Sequence, residues 1–262
     1  MTTSVPQDWR DTVSPMPHLP AATHRPFVET VEPPGPVAAV ALLLHGGKAN
    51  GTGVPKNMSL SMLRMRPFKK QIAASGRTHG VAAWLLHYRV PGWNGTAADP
   101  ARDAHWALAE IRQQYGEVPV VLVGHSMGGR AALRVADDAS VVGVCALAPW
   151  LPPQEPMPQL VGRSVLMAHG TRDRWVDPRG SYQYAVRAKL GHRQVARFEV
   201  HGVGHAMLRR ASDWHAFTRN AALGMLGVEP LWPLITNAMH EELPAGLRVP
   251  LEVPRTRAAT DR

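Results

Sequence analysis

Short, unbroken apolar runs alternate with helix-like patterns from residue 27 to about residue 227. The runs fall at Phe27–Glu32, Val37–Leu44, Val81–His87, Pro119–Gly124, Val141–Leu147, Ser164–His169 and Val195–His201. Most are Val, Leu and Ala without a period of two, which fits strands covered on both faces. Between them, Asp99-Pro100 supplies an N-cap and a proline at the first helical position, opening a helix to about Tyr115. After Ser126, the residues Met127, Ala131 and Val135 recur every four, with Ala132 and Ala136 beside them, so this segment reads as a helix with an inward stripe. Further helices are expected over Gly180–Leu190 and Met207–Leu226. One more, from about Asn57 to Ser75, is expected to bend or restart at Pro67.

This alternation predicts an α/β domain over residues 27–228, with a mostly parallel, doubly wound sheet and helices on both faces. Residues 1–26 and 229–262 are rich in Pro and Arg and lack sustained periodicity. They read as an N-terminal extension and a C-terminal extension or wrapping tail. At 262 residues and 45% hydrophobic, the chain is long enough for one large domain with a substantial core. No apolar run approaches the ~20 residues that span a bilayer. The opening stretch "MTTSVPQDWRDTVSPMPHLP" has early acids and prolines instead of an apolar core, so it does not read as a secretory signal. A cytoplasmic protein without a membrane partner is the expectation. A single cysteine, Cys145, excludes an intramolecular disulfide and a cysteine-rich metal site.

A formal charge of +9 raises nucleic acid as a partner. The distribution argues otherwise. Only five of the 29 basic residues are lysine, the arginines are dispersed from Arg10 to Arg262, and no aromatic-basic alternation appears. No nucleic-acid partner is expected.

The chemistry centres on "VVLVGHSMGGRAALRV", residues 120–135. A Gly-x-Ser-x-Gly match by itself is weak, although random placement gives only about 0.08 matches in a chain of this composition. Context adds weight, because an apolar strand precedes Ser126 and a helical pattern follows it. Turning from strand to helix within one residue strains the serine and pushes its hydroxyl out of the sheet, and side chains at Gly124 or Gly128 would meet backbone. The hydroxyl then lies at a helix N-terminus, where unpaired amides favour a developing anion, with the Met127 N–H beside it.

A serine needs a base and an orienting acid. Asp173 follows the apolar run "SVLMAHG", and His205 follows "VARFEVHG", both just past the C-terminal ends of expected parallel strands. Asp177 is an alternative acid, although Asp177-Pro178 looks more like a helix N-cap. A second oxyanion amide is expected from His45-Gly46-Gly47, with Gly47 favoured over Gly46 or Lys48.

At these residues the sequence resembles the α/β-hydrolase superfamily, in particular serine hydrolases with a small or absent cap. The resemblance covers about residues 27–227 and rests on "HGG" at 45–47, "GHSMGG" at 124–129, "HGTRDRWVDP" at 169–178 and "GVGHAM" at 202–207, with a looser match at "HYRVPGWNG". It implies Ser126 as nucleophile, Asp173 as acid, His205 as base, and the Met127 and Gly47 amides as the oxyanion hole. The chain departs from larger members at the Pro-rich residues 148–162, where those members carry a lid; a minimal lid is expected, and lipase-like interfacial activation is not.

For substrate, Trp93, Trp150, Trp175 and Met207 are expected to line an apolar cleft, with two of the three tryptophans near the pocket. Arg172 and Arg174 flank the acid, where they are either solvated or placed to meet an anionic leaving group such as a thioester carrier. His125, adjacent to the nucleophile, reads as a packing residue, Arg89 as a structural anchor and Lys48 as solvated. His45, His87, His169 and His201 lie near strand ends without close ligand pairs, so no metal site is expected. The expected activity is a cofactor-free carboxylesterase acting on a small-molecule ester of short to medium, apolar acyl or aryl character. Alternatives are a thioesterase, an acyltransferase or a cofactor-free oxidative enzyme using the same triad, or a ligand-binding protein without turnover. A histidine base predicts activity that falls as the pH drops through about 6–7.

Overall fold

The computed structural model describes residues 24–55, 59–191 and 194–254. Eight strands form one sheet: β1 (Phe27–Val31), β2 (Ala39–Leu44), β3 (Val81–His87), β4 (Val120–His125), β5 (Val141–Leu147), β6 (Ser164–Gly170), β7 (Val195–Val200) and β8 (Val249–Pro250). Their order is β1-β3-β2-β4-β5-β6-β7-β8. Edge strand β1 runs antiparallel to β3, and every other pairing is parallel.

The two faces explain the uninterrupted apolar runs. In β2, Val40, Leu42 and Leu44 enter one core while Ala39, Ala41 and Leu43 enter the other. Helices α2 (Asp99–Tyr115), α3 (Met127–Arg134) and α4 (Pro178–Gly191) close the first core, and α1 (Leu60–Gly76), α5 (Ala211–Met225) and α6 (Pro233–His240) close the second. Strands β2 to β7 are almost wholly buried on both faces, so no alternation is needed there, whereas edge strands β1 and β8 are partly exposed.

Two local expectations change. Helix α1 continues through Pro67 without a break. Its buried face of Met62, Met65, Phe68 and Ile72 compensates for the one amide that proline lacks. The expected start near Asn57 lies outside the described residues; the described helix begins after Ser59, whose hydroxyl accepts the Met62 N–H at 3.2 Å. Helix α5 begins at Ala211, not Met207, because Met207 and Arg210 both sit at left-handed φ (55° and 54°) and turn the chain before the helix can start.

Residues 229–254, read from sequence as an extension or tail, pack on the sheet. Ile235 and Ala238 of α6 are buried, as are Leu247 and Leu251, and β8 pairs with β7. The N-terminal extension lies outside the described residues as far as residue 23. Among the described residues, no helix is long and apolar enough to cross a membrane.

Candidate active site

The chain leaves β4 at His125 and enters α3 at Met127, so Ser126 alone makes the turn. Its backbone sits at φ 57°, ψ −118°, a conformation that L residues avoid and that costs about 1–3 kcal/mol. The surroundings hold it there. Ser126 N–H donates to Leu147 O at 3.0 Å, and Ser126 O accepts from the amides of Trp150 and Arg130 at 3.1 and 3.2 Å. The flanking glycines are sterically required: a Cβ on Gly124 would lie 2.3 Å from Gly128 O, and one on Gly128 would lie 2.1 Å from Leu44 O.

The loop after β2 passes over this serine. A Cβ at Gly46 would stand 3.3 Å from Ser126 Cβ, whereas one at Gly47 would drive into the Met127 side chain at 2.3 Å. Gly46 thus lies nearest the serine and Gly47 nearest Met127. The Lys48 amide donates to Pro91 O at 2.9 Å, which removes Lys48 from the candidate oxyanion donors. His45 Nδ1–H donates to Gly46 O at 2.6 Å and fixes the orientation of the Gly46–Gly47 peptide. Burial lowers the His45 imidazole to about 4, so it is neutral.

Asp173 follows β6. Its Oδ1 accepts the amides of Trp175 and Val176 at 2.9 and 3.0 Å. Its Oδ2 accepts from two imidazoles, His205 Nδ1 at 2.6 Å and His169 Nε2 at 3.2 Å. Burial by itself would raise this carboxyl. The hydrogen bonds from His169, His205 and Val176 outweigh that, and they hold it well below the usual carboxylate range. Asp177, the alternative acid, is exposed and accepts the Arg179 amide at 2.9 Å at the start of α4, which is a capping role.

With His205 Nδ1–H committed to Asp173, Nε2 is the nitrogen left for a reacting group. His205 and Ser126 line one cavity of about 440 Å³, together with Gly46, Gly47 and Trp175. Leu60, Leu63, Pro67 and Leu208 supply its apolar walls.

Two residues position the His205 segment: His125, read from sequence as a packing residue, and Arg64, which no sequence signal singled out. His125 packs its ring 4.8 Å from that of His205 and donates Nε2–H to the His205 carbonyl at 3.1 Å. Burial lowers His125 to about 3, with the neighbouring His205 adding to the shift, so His125 is neutral. Arg64 of α1 donates Nε–H to Ala206 O at 2.8 Å and an Nη2 proton to Met207 O. The partners are 142 and 143 positions apart, and no local pattern signals such a pair. His169, seen in sequence only as a histidine near a strand end, is the second donor to Asp173.

The expected pocket is only partly realised. Trp175 lines the cavity and is 81% exposed. Trp93 and Trp150 do not line it. They meet edge to face at 6.4 Å, with the Arg130 guanidinium over both rings at 3.9 and 4.7 Å. Arg130 and Arg134 in turn hold the fully buried carboxylate of Glu155 at 2.6 and 2.8 Å. This buried cluster pins the Pro-rich 148–162 segment, whose helical content is a single 3₁₀ turn at Pro158–Leu160. Met207 is buried in the core beside α5 instead of lining the cavity shared by Ser126 and His205. Arg89 binds Asp99 and Asp103 at 2.8 and 3.1 Å, an anchoring arrangement. Among the described residues, no group of three or more His, Cys, Asp or Glu is arranged to hold a metal ion.

The model of the alpha/beta hydrolase family matches residues 41–256. The chain belongs to that family. No curated protein sequence matches it. Among solved structures, it is similar to an α/β serine hydrolase without a lid from Xanthomonas campestris, at 18% identity and a TM-score of 0.55, covering 79% of this chain and 91% of that one. A propionate-bound thermophilic esterase from the planctomycete Thermogutta terrifontis aligns at 17% identity and a TM-score of 0.58, covering 78% and 91%. A monoacylglycerol lipase from Paleococcus ferrophilus aligns at 16% and 0.51, covering 78% and 100%. At these identities the likeness establishes the shared fold. As a member of this family, the chain is a hydrolase.

Proposed function

We propose that this alpha/beta hydrolase cleaves carboxylic esters through Ser126, His205 and Asp173. The observation that carries the reading is the 2.6 Å bond from His205 Nδ1 to Asp173 Oδ2, made by an imidazole that shares one cavity with the strained Ser126. Ser126 Oγ attacks the substrate carbonyl and gives its proton to His205 Nε2. Asp173 keeps the imidazole in the correct tautomer and stabilises the resulting imidazolium. The Met127 amide, with that of Gly47 or the nearer Gly46, stabilises the oxyanion, each contributing roughly 10²–10³ in rate. His205 then passes the proton to the leaving oxygen as the C–O bond breaks. A water deprotonated by His205 attacks the acyl-enzyme, and the proton returns to Ser126 Oγ as the acid departs.

The apolar walls of the cavity and the absence of a helical cap between residues 148 and 162 favour short to medium acyl or aryl groups. The reaction needs no cofactor. The test is labelling by a fluorophosphonate together with hydrolysis of a 4-nitrophenyl ester series. Stoichiometric labelling, abolished in Ser126→Ala and greatly slowed in His205→Ala, supports the assignment. Undiminished labelling in Ser126→Ala refutes it.

A further inference from the structure

A second depression opens directly beside His205. It encloses about 330 Å³ and is lined by Arg172, Arg174 and Arg209, with Trp175, Ala206 and Leu208 shared with the catalytic cavity. Among the described residues, no Asp or Glu lines it. Each of the three arginines is exposed, and none has a carboxylate partner among the described residues. Nearby cations of this protein are treated differently: Arg210 binds Asp213 at 2.6 Å and Arg64 is spent on backbone carbonyls. Three unpaired guanidiniums facing one groove attract anions and match phosphate or sulfonate oxygens bidentately.

The position of the groove is set by the chemistry. Because His205 Nε2 must hand its proton to the leaving atom, the leaving group lies on the His205 side of the scissile bond, opposite the Gly46–Gly47 loop. The arginine groove is on that side. We infer that it is a leaving-group subsite, and that the preferred substrate is an ester or thioester whose alcohol or thiol carries a phosphate, sulfonate or comparable anion. The acyl part occupies the apolar cavity between Leu60, Leu63 and Leu208, and the anion rests on Arg172, Arg174 and Arg209. This deepens the proposed function and rests on it. In the reaction, the Ser126 Oγ–acyl bond forms, the acyl–oxygen or acyl–sulfur bond breaks, and the serine proton leaves on the anion-bearing alcohol or thiol.

The test compares two chromogenic butyrates, 4-nitrophenyl butyrate and its analogue bearing a ring sulfonate on the leaving phenol, on the full chain. The quantity read is the ratio of kcat/KM for the sulfonated over the neutral ester, expressed for each variant relative to wild type. Exposed ion pairs contribute about 1.4- to fivefold each, so Arg172→Ala/Arg174→Ala/Arg209→Ala lowers the ratio by at least about threefold and by up to about a hundredfold. Arg174→Glu lowers it further than Arg174→Ala, and Arg174→Lys retains most of it. In the wild type, raising ionic strength from about 0.1 M to 1 M contracts the screening length from ~10 to ~3 Å and lowers the ratio in the same direction. A ratio within twofold of wild type in the triple variant, in protein that still labels with fluorophosphonate, overturns the subsite and leaves the hydrolase reading standing. Failure of the wild type to label overturns the hydrolase reading and the subsite with it.

Discussion

His169→Phe tests how the Asp173 carboxylate is held. The wild-type side chain is fully buried and bridges three groups, Asp173 Oδ2 at 3.2 Å and Val176 O at 3.3 Å through Nε2, and Ser181 Oγ at 2.8 Å through Nδ1. Ser181 Oγ also accepts from the buried Arg197 Nε at 3.1 Å, so a continuous chain runs from a buried guanidinium to the carboxylate. Phenylalanine keeps the ring volume and removes all three contacts. A hydrogen bond to a charged group contributes about 2 kcal/mol, and Asp173 retains its other three donors, so the expected loss of stability is ~2 kcal/mol. The Asp173 carboxyl is depressed in the folded protein, so its contribution is fully present above its unfolded pKa near 4 and is lost as the pH falls through the folded value. Removing a donor raises the folded value towards the unfolded one. The stability gap between variant and wild type is therefore constant at neutral pH and narrows below about pH 4. Kinetically, the Asp173 carboxylate loses a donor that orients it towards His205, and kcat/KM falls. Urea unfolding at several pH values and kcat/KM on one ester measure both effects, and His169→Gln, which restores one donor, should recover part of each. Equal stability of His169→Phe and wild type at pH 7, with an unchanged kcat/KM, refutes this account of the carboxylate.

Three further outcomes follow from the geometry. Ser126→Gly should abolish turnover yet raise stability by about 1 kcal/mol in chemical denaturation, because glycine accepts φ 57°, ψ −118° at little cost; a destabilised variant would show that the serine backbone is not strained. Gly128→Ala should cost about 3 kcal/mol or more and eliminate labelling of Ser126, since its Cβ would lie 2.1 Å from a backbone carbonyl that cannot yield; normal labelling in that variant contradicts the steric reading. Glu155→Gln should cost roughly 3–5 kcal/mol by thermal melting, because it strips the buried carboxylate from Arg130 and Arg134; a loss under 1 kcal/mol would mean that other contacts hold the 148–162 segment.

The strands, the elbow and the places of Asp173 and His205 in the fold were legible because each rests on a local rule: apolar runs for doubly covered strands, glycines at close backbone approaches, and polar residues just past the ends of β6 and β7. What escaped depends on contacts distant in sequence. Trp93 and Trp150 looked like pocket residues because they are aromatic and lie on loops near the catalytic edge. Their packing was decided by Arg130 and Glu155, whose pairing no periodicity encodes. Met207 fell inside a helical pattern, but its left-handed backbone ended that pattern and turned the side chain into the core. The stretch from 229 looked like a tail because α6 spans only eight residues and β8 two, too short to show a period, although both cover apolar surface of the sheet.

The same contrast explains how His205 is held on a loop. A nucleophile at a strand-to-helix turn is fixed by the fold itself, whereas a residue on the 201–210 segment is not, and small displacements of a base cost rate steeply. Here the segment is tied from three sides: Asp173 binds the His205 ring, His125 binds its carbonyl, and Arg64 binds the next two carbonyls. The last two ties come from β4 and α1, the elements that lead into Ser126 and wall the shared cavity. The proposed base is thereby referenced to the strand that leads into the proposed nucleophile and to the wall of their cavity. A shift of either element carries the imidazole with it, which preserves the Ser126–His205 relation.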